Sequence, residues 1–287
     1  MNSTALVKIV MNSVKSGMND AQAVKAAESG IGEMSAENAV TVELKNGESL
    51  SDLQRDGLQI IQHPGLFSFG IDAVLLSGFA EIREGDRVAD LGTGTGILPI
   101  LLAAKTKAAH LTGLEILADS ADMAARSVRM NGLDDRISIV SGDIRKVEDY
   151  FTTASMDAVV SNPPYMIADH GRGNPNGAIA AARHELLCTF DDVARAASYL
   201  LRSSGRFSLV HRPFRLPELF ETLRKHHLEP KRMRLVHPFA DREPNLVLIE
   251  CVKGGRPRLA IDPPLVVYRE PGIYTDEVLE IYGSDRG

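Results

Sequence analysis

The run Val88-Ala89-Asp90-Leu91-Gly92-Thr93-Gly94-Thr95-Gly96-Ile97 constrains this chain more than any other stretch. A short strand-like segment leads into three glycines set one residue apart, then into an apolar, helix-compatible stretch from Leu98 to Lys105. Strand, glycine turn and helix in that order bring backbone close to a ligand, because glycine lacks a Cβ and tolerates positive φ. The spacing is G-x-G-x-G, not the G-x-G-x-x-G of dinucleotide sites. Asp90 also stands just before the glycines, where a pyrophosphate would be repelled. A carboxylate there suits a cationic amino-acid moiety or its ordered water.

Two more acids follow at the ends of expected strands. His110 to Leu114 reads as a strand ending in Glu115, which can accept from both hydroxyls of a ribose. After an expected helix from Ala118 to Asn131, Ile137 to Val140 reads as a third strand, with Asp143 just beyond it and suited to accept from an exocyclic amine. Three acids at successive strand ends describe a pocket for an adenosyl group carrying a positively charged amino acid. The apolar run Met156 to Ser161 predicts a further buried strand, and Asn162-Pro163-Pro164-Tyr165 lies at its exit. In open α/β sheets ligands bind outside the carboxyl ends of the strands. Asparagine offers a carbonyl acceptor, the prolines stiffen the turn and leave carbonyls free, and tyrosine offers a flat face. Those features suit a planar group that bears an NH2, held against a second reactant.

With these residues the chain resembles class I S-adenosylmethionine-dependent methyltransferases of the amino-methylating group with an N/D-P-P-Y motif. Further segments, Leu58 to Gln62, Phe67 to Leu76, Ala182 to Glu185 and His211 to Arg215, resemble the bacterial tRNA (adenine-N6)-methyltransferase family, which modifies the adenine beside the anticodon of valine tRNA. The likeness spans roughly Leu58 to Val252. It implies an α/β, Rossmann-like fold: a mostly parallel seven-stranded sheet with helices on both faces and an antiparallel last strand near Val247 to Cys251. It implies that Asp90, Gly92, Thr93, Gly94, Gly96, Glu115, Ile116, Asp143 and Ile144 bind S-adenosylmethionine, with Asn162 between donor and target. Asn162, Pro163, Pro164 and Tyr165 would hold and orient the target adenine. Asp72 opens an expected helix from Ile71 to Ile82, and both a plain N-cap and a contact to the donor's cationic end suit it. Other acceptors with a planar NH2 stay open at this point, namely a protein glutamine amide or a DNA adenine. So does a donor-binding RNA-interaction protein without turnover.

Charge separates along the chain. The formal net charge is -6, yet Arg202 to Arg258 holds thirteen bases against six acids. A local basic stripe is the footprint expected for a phosphate backbone. Arg212 and Arg215 follow an expected strand (Gly205 to Val210) at the ligand-binding edge and are assigned to RNA, as are Arg172 and Arg183 in the glycine-rich segment beyond Tyr165. Lys231 and Arg232 are candidates as well, although alternation across Arg232-Met233-Arg234-Leu235 also fits a strand with one wet face. His184 and Glu185 are assigned to supporting the turn.

The expected organisation is a mobile extension over 1–42, a cap over 43–82, a catalytic domain over 83–252 and a surface-wrapping tail over 253–287 with a short helix near Thr275 to Tyr282. No apolar run approaches the roughly 20 residues that span a bilayer, and no segment has the order of a signal peptide. The expected location is the cytoplasm. Cys188 and Cys251 lie far apart, and the eight histidines show no zinc-site spacing, so no metal is expected. The oligomeric state is left open between monomer and homodimer.

Overall fold

A computed structural model describes residues 42–64, 70–163 and 188–283. Its first elements are β1 (Ser49–Asp52) and β2 (Gln59–Gln62), an antiparallel pair, followed by α1 (Ile71–Phe79). Strand and helix then alternate: β3 (Arg87–Leu91), α2 (Ile97–Lys105), β4 (His110–Glu115), α3 (Ala118–Met130), β5 (Ile137–Ser141) and β6 (Met156–Ser161). After the segment over 164–187, α4 (Phe190–Leu200), β7 (Leu201–His211), α5 (Leu216–Lys225), β8 (Leu228–His237) and β9 (Leu246–Lys253) complete the main layer.

The strands order as β8-β9-β7-β6-β3-β4-β5. β7, β6, β3, β4 and β5 run parallel, whereas β9 is antiparallel to both neighbours. The expected seven strands and the antiparallel last strand are therefore present. The tail does more than wrap the surface. β10 (Ala260–Ile261) and β11 (Leu265–Val266) each pair with β8 and bring the sheet to nine strands. They cover backbone groups that an open edge would leave unpaired. β12 (Tyr268–Glu270) and β13 (Ile273–Tyr274) form a separate small hairpin, and α6 (Asp276–Tyr282) follows.

Period-two alternation divides the strand residues between two cores. Val88, Ala158, Val160, Val210 and Leu248 face one core, which α1, α2 and Val278 of α6 complete. Ala89, Leu91, Val159, Leu209 and Ile249 face the other, which α4 and Leu219 and Leu223 of α5 complete. Helices on both faces explain why these strands read as apolar runs rather than as alternating ones.

The cap is fastened to α3 by polar contacts. Ile61 N–H donates to Ser127 Oγ at 2.9 Å, Gln59 N–H to Asn131 Oδ1 at 3.0 Å, and Asn131 Nδ2 returns a bond to Gln59 O at 2.7 Å. Arg126 of α3 adds a buried ion pair with Glu48 at 2.5 Å. α1 stops at Phe79 rather than the expected Ile82 because two arginines replace its next turn. Arg232 donates to Phe79 O at 2.6 Å and Arg206 to Glu81 O at 2.9 Å. Arg206 sits opposite Ala158, low in the sheet, so α1 descends from the carboxyl edge with Asp72 at its upper end.

Candidate active site at the carboxyl edge of the sheet

β3 is where the chain order reverses: β4 and β5 lie to one side of it, β6 and β7 to the other. Such a switch point is where open α/β sheets bind ligands. β3 and β6 pair with Asp90 opposite Val160, so the glycine turn after Leu91 and the Asn162-Pro163 turn after Ser161 leave the sheet side by side. Ser161 is wholly buried and its Oγ donates to Leu91 O at 2.7 Å, which pins the two exits together.

The glycine turn is held by its backbone. Gly92 and Thr93 N–H both donate to Leu114 O, at 2.9 and 3.1 Å, and Gly96 N–H donates to Thr93 O at 2.9 Å. Gly96 caps α2 at φ +89°, and a Cβ there would lie 3.1 Å from Ala124 Cβ. The positive φ favours glycine, and a Cβ would make Ala124 give by a few tenths of an ångström. Glu115 is 3% exposed and ties the turn to the next strand exit: Oε2 accepts from Gly94 N–H and Oε1 from Leu117 N–H, each at 2.9 Å. A carboxylate has about four acceptor sites, so both oxygens retain capacity for a ligand. Ile144 is buried beneath the turn, 4.0 Å from where a Cβ on Gly92 would stand, and Ile116 is half-buried beside Glu115.

Asp90 is the anomaly of the site. It is 2% exposed, and neither carboxylate oxygen has a hydrogen-bond partner. Burial pushes its carboxyl up to about 7, and the negative charge of Glu115 adds to the shift. The Thr93 hydroxyl opposes it only from outside hydrogen-bond geometry, since Thr93 Oγ1 is itself buried without a partner. An orphaned buried carboxylate is costly. A cationic ligand would supply the missing donors, so the residues fit S-adenosylmethionine with its ammonium group.

Asp143 differs from Asp90 in this respect. Arg145 sits on it, with Nη2 to Oδ2 at 2.7 Å and backbone N–H to Oδ1 at 2.9 Å, and holds its carboxyl below the usual range. Tyr150 lies over Gly142, where any Cβ would come within 2.5 Å of the ring. Neither Arg145 nor Tyr150 was signalled by sequence, because neither belongs to a motif. Asp72 is not the N-cap of α1. Gly70 is, and the Asp72 carboxylate sits in the first turn, where it complements the helix dipole.

A pocket of about 270 Å³ opens among Pro163, Thr189, His211, Arg215, Glu218 and Thr222. Pro163 is buried in its wall, and the preceding residue, Asn162, is half-buried. His211 Nδ1 accepts from Arg212 N–H at 2.8 Å, and the ring meets Phe190 edge-on. Burial, then the charge of Arg215, brings His211 down to about 3, so it is neutral. Thr189 and Asp192 form a capping box that fixes the start of α4.

The candidate RNA-binding bases have partners within the chain. Arg212 Nη1 donates to Asn245 O at 2.9 Å, and Arg215 pairs with Glu218 at 2.6 Å. Lys231 donates to Arg256 O at 2.8 Å. Arg232 lies mid-strand in β8, its guanidinium 4.1 Å from the centre of the Phe79 ring. Both belong to a strand pairing with β9, but the face that Arg232 occupies is not wet: Arg232 is packed into the seam between α1 and the sheet. Pro164, Tyr165, Arg172, Arg183, His184 and Glu185 lie outside the described residues.

With this geometry in place, the family profile described as methyltransferase small domain matches residues 57–227. The chain belongs to that family. Proteins similar to it include a tRNA1(Val) (adenine(37)-N6)-methyltransferase of Porphyromonas gingivalis, 30% identical over 225 residues, 74% of this chain and 86% of that protein. Another of the same name, from a Flavobacteriaceae bacterium, is 24% identical over 221 residues, 76% of this chain and 91% of that protein. A solved Agrobacterium tumefaciens structure, described as a predicted O-methyltransferase, superposes with a TM-score of 0.61 at 25% identity, over 74% of this chain and 96% of its own. The family match covers both the glycine turn and the Asn162-Pro163 exit.

Proposed function

We propose that this protein transfers a methyl group from S-adenosylmethionine to the exocyclic N6 amine of an adenine in tRNA, the adenine at position 37 of a valine tRNA by its relatives. The observation that carries the reading is the pairing of β3 with β6, which sets an orphaned buried carboxylate and a glycine turn beside Asn162. Asp90 and the glycine turn would hold the donor's amino-acid end. Glu115 would accept from the ribose hydroxyls, with Ile116 and Ile144 against the adenine ring and Asp143 accepting from its amine. Asp143 can do so only where Arg145 leaves it an open acceptor site.

When bound, S-adenosylmethionine supplies an electrophilic methyl carbon on a sulfonium. The chain's own task is to make a poor nucleophile attack it. The adenine amine is weak because its lone pair spreads into the ring. The Asn162 side-chain oxygen and the Pro163 carbonyl would accept from the NH2 and favour a more tetrahedral nitrogen. As nitrogen becomes cationic those acceptors bind it more tightly than in the ground state. Holding the reacting atoms at about 3–3.5 Å supplies much of the remaining barrier reduction. His211 is too weak a base to take the released proton, which passes to water. Tyr165, outside the described residues, is proposed to stack on the target base, with Pro164 stiffening the turn before it.

Among the described residues no helix is long and apolar enough to cross a membrane. Since its proposed substrate is tRNA, the protein is proposed to work in the cytoplasm. The test is digestion and mass spectrometry of unmodified valine-tRNA transcript after incubation with enzyme and donor. N6-methyladenosine at the expected position supports the reading. Methylation of oxygen, of a protein amide or of DNA, with the transcript untouched, overturns it.

A further inference from the structure

Phe214 is 67% exposed, the most open of the large apolar side chains among the described residues. A single exposed apolar side chain is ordinary. The position of this one is not. It sits in the single turn Pro213–Arg215 directly after β7, whose Leu209 pairs with Ser161, the residue before Asn162. Its neighbours His211 and Arg215 line the same pocket as Pro163, while its own ring stands out in solvent.

The turn that carries the ring is also fastened. Pro213 fixes φ at the head of the turn, and Arg215 N–H donates to Arg212 O at 3.1 Å. Arg212 fastens the turn to the β8–β9 loop through Asn245 O, and Arg215 to α5 through Glu218. The loop so joined carries Arg242, its side chain 70% exposed. An exposed aromatic ring on a fastened turn, with half-buried Arg212 in that turn and exposed Arg242 on the joined loop, has the chemistry of a single-strand platform at the rim of the catalytic edge. Bases stack on such rings whatever their identity, and the adjacent guanidiniums favour the backbone.

We propose that Phe214 stacks on a nucleobase adjacent to the target adenine and so registers the RNA loop on the enzyme. The inference rests on RNA being the substrate, and its test separates the two. The chain contains no tryptophan, so Phe214→Trp installs a single indole reporter. Titrating that variant with valine-tRNA transcript quenches the indole emission, whereas heparin, a polyanion without bases, leaves it unmoved. In parallel, Phe214→Ala and Phe214→Leu raise the KM for transcript about tenfold with the KM for S-adenosylmethionine unmoved, and Phe214→Trp restores it.

Methylation without quenching, with Phe214→Ala at the parent KM, overturns the stacking role and leaves the proposed activity standing. Quenching without any methylation overturns the proposed activity and, with it, the placement of Phe214 beside a target adenine. Quenching that grows with protein concentration in the absence of RNA assigns the ring to a protein partner and overturns the proposal.

Discussion

The two sides of the switch point treat their polar groups in opposite ways. On the side of β3 and β4, Asp90 and Thr93 are buried and left without hydrogen bonds. On the side of β7 to β9, the half-buried Arg212 and Lys231 carry bonds to carbonyls. Arg215, its side chain 10% exposed, is paired with Glu218, and Arg232 keeps one nitrogen, Nε, buried without a bond. The contrast follows from the size of the ligand each side is proposed to meet. A small molecule that enters a buried slot can satisfy an orphaned carboxylate completely, so the protein can leave it empty-handed until then. A polymer on the surface meets many charges at once, each screened and individually worth little. Such charges need not be orphaned to act.

The sharpest break in this comparison is at Asn162, which stands between the two sides. Asn162→Ala should lower kcat about 10²- to 10³-fold, by the scale of losing one group aimed at developing charge. Donor affinity, measured by calorimetry, should stay near the parent value. A loss of donor affinity as large as the loss of turnover would move Asn162 to the donor side.

Asp90 tests the donor side through pH. Its raised carboxyl means that the folded chain holds a proton that the unfolded chain has already lost above the ordinary carboxylate range. Donor-free stability is therefore greatest below that range and is lost as pH rises toward about 7. Asp90→Asn removes the buried charge, so the donor-free variant should melt above its parent at pH 8 and approach it at pH 5. Donor affinity at pH 8 should fall about tenfold to a hundredfold. In the parent, affinity should climb between pH 6 and 8 with uptake of the donor coupled to proton release, and calorimetry in two buffers of different ionisation enthalpy reads that directly. A flat profile would mean that Asp90 is already ionised and partnered.

Much of this was legible in the sequence because backbone chemistry set it. Met156–Ser161 and His110–Glu115 are read from apolar runs bounded by turn formers, and both strands take those bounds. The placement of Asp90, Glu115 and Asn162 at neighbouring exits follows from the parallel order alone. The orphaned state of Asp90 does not, since burial depends on what packs above β3. Nor does the pairing of Arg145 with Asp143, or the embrace of Phe79 by Arg232, which require knowing which side chains face one another across elements. The edge strands β10 and β11 escaped notice because two residues carry no periodicity. Asp72 shows the limit of cap rules: acid at a helix start was clear, but the capping position belonged to Gly70.

Gly96 asks whether the donor side depends on backbone shape as well as charge. Alanine there must take φ +89° and bring its Cβ to 3.1 Å from Ala124. The cost should be about 1–3 kcal/mol of stability, read by urea denaturation, with Asp90 unchanged in chemistry. If Gly96→Ala weakens the donor more than its stability loss explains, the turn is a shaped cradle. If stability falls and affinity holds, Glu115 and Asp90 carry the donor by themselves.

The smallest effect is expected at Arg212, and it bears on whether a paired surface base still binds phosphate. Its Nη1 is committed to Asn245 O, so Arg212→Ala removes both a strut and a charge. A charge contributes through counterion release, and one lost phosphate contact lowers the slope of log K against log salt by about one. A strut contributes through geometry and leaves that slope alone. The KM for transcript should rise only a few-fold at low salt, with the slope falling by about one. Arg212→Lys should keep the charge and recover the slope while losing the guanidinium's planar fork. A parental slope in Arg212→Ala, accompanied by a raised KM, would give Arg212 the single task of holding Phe214's turn against the β8–β9 loop. The basic stripe would then have to find its phosphate contacts elsewhere along its length.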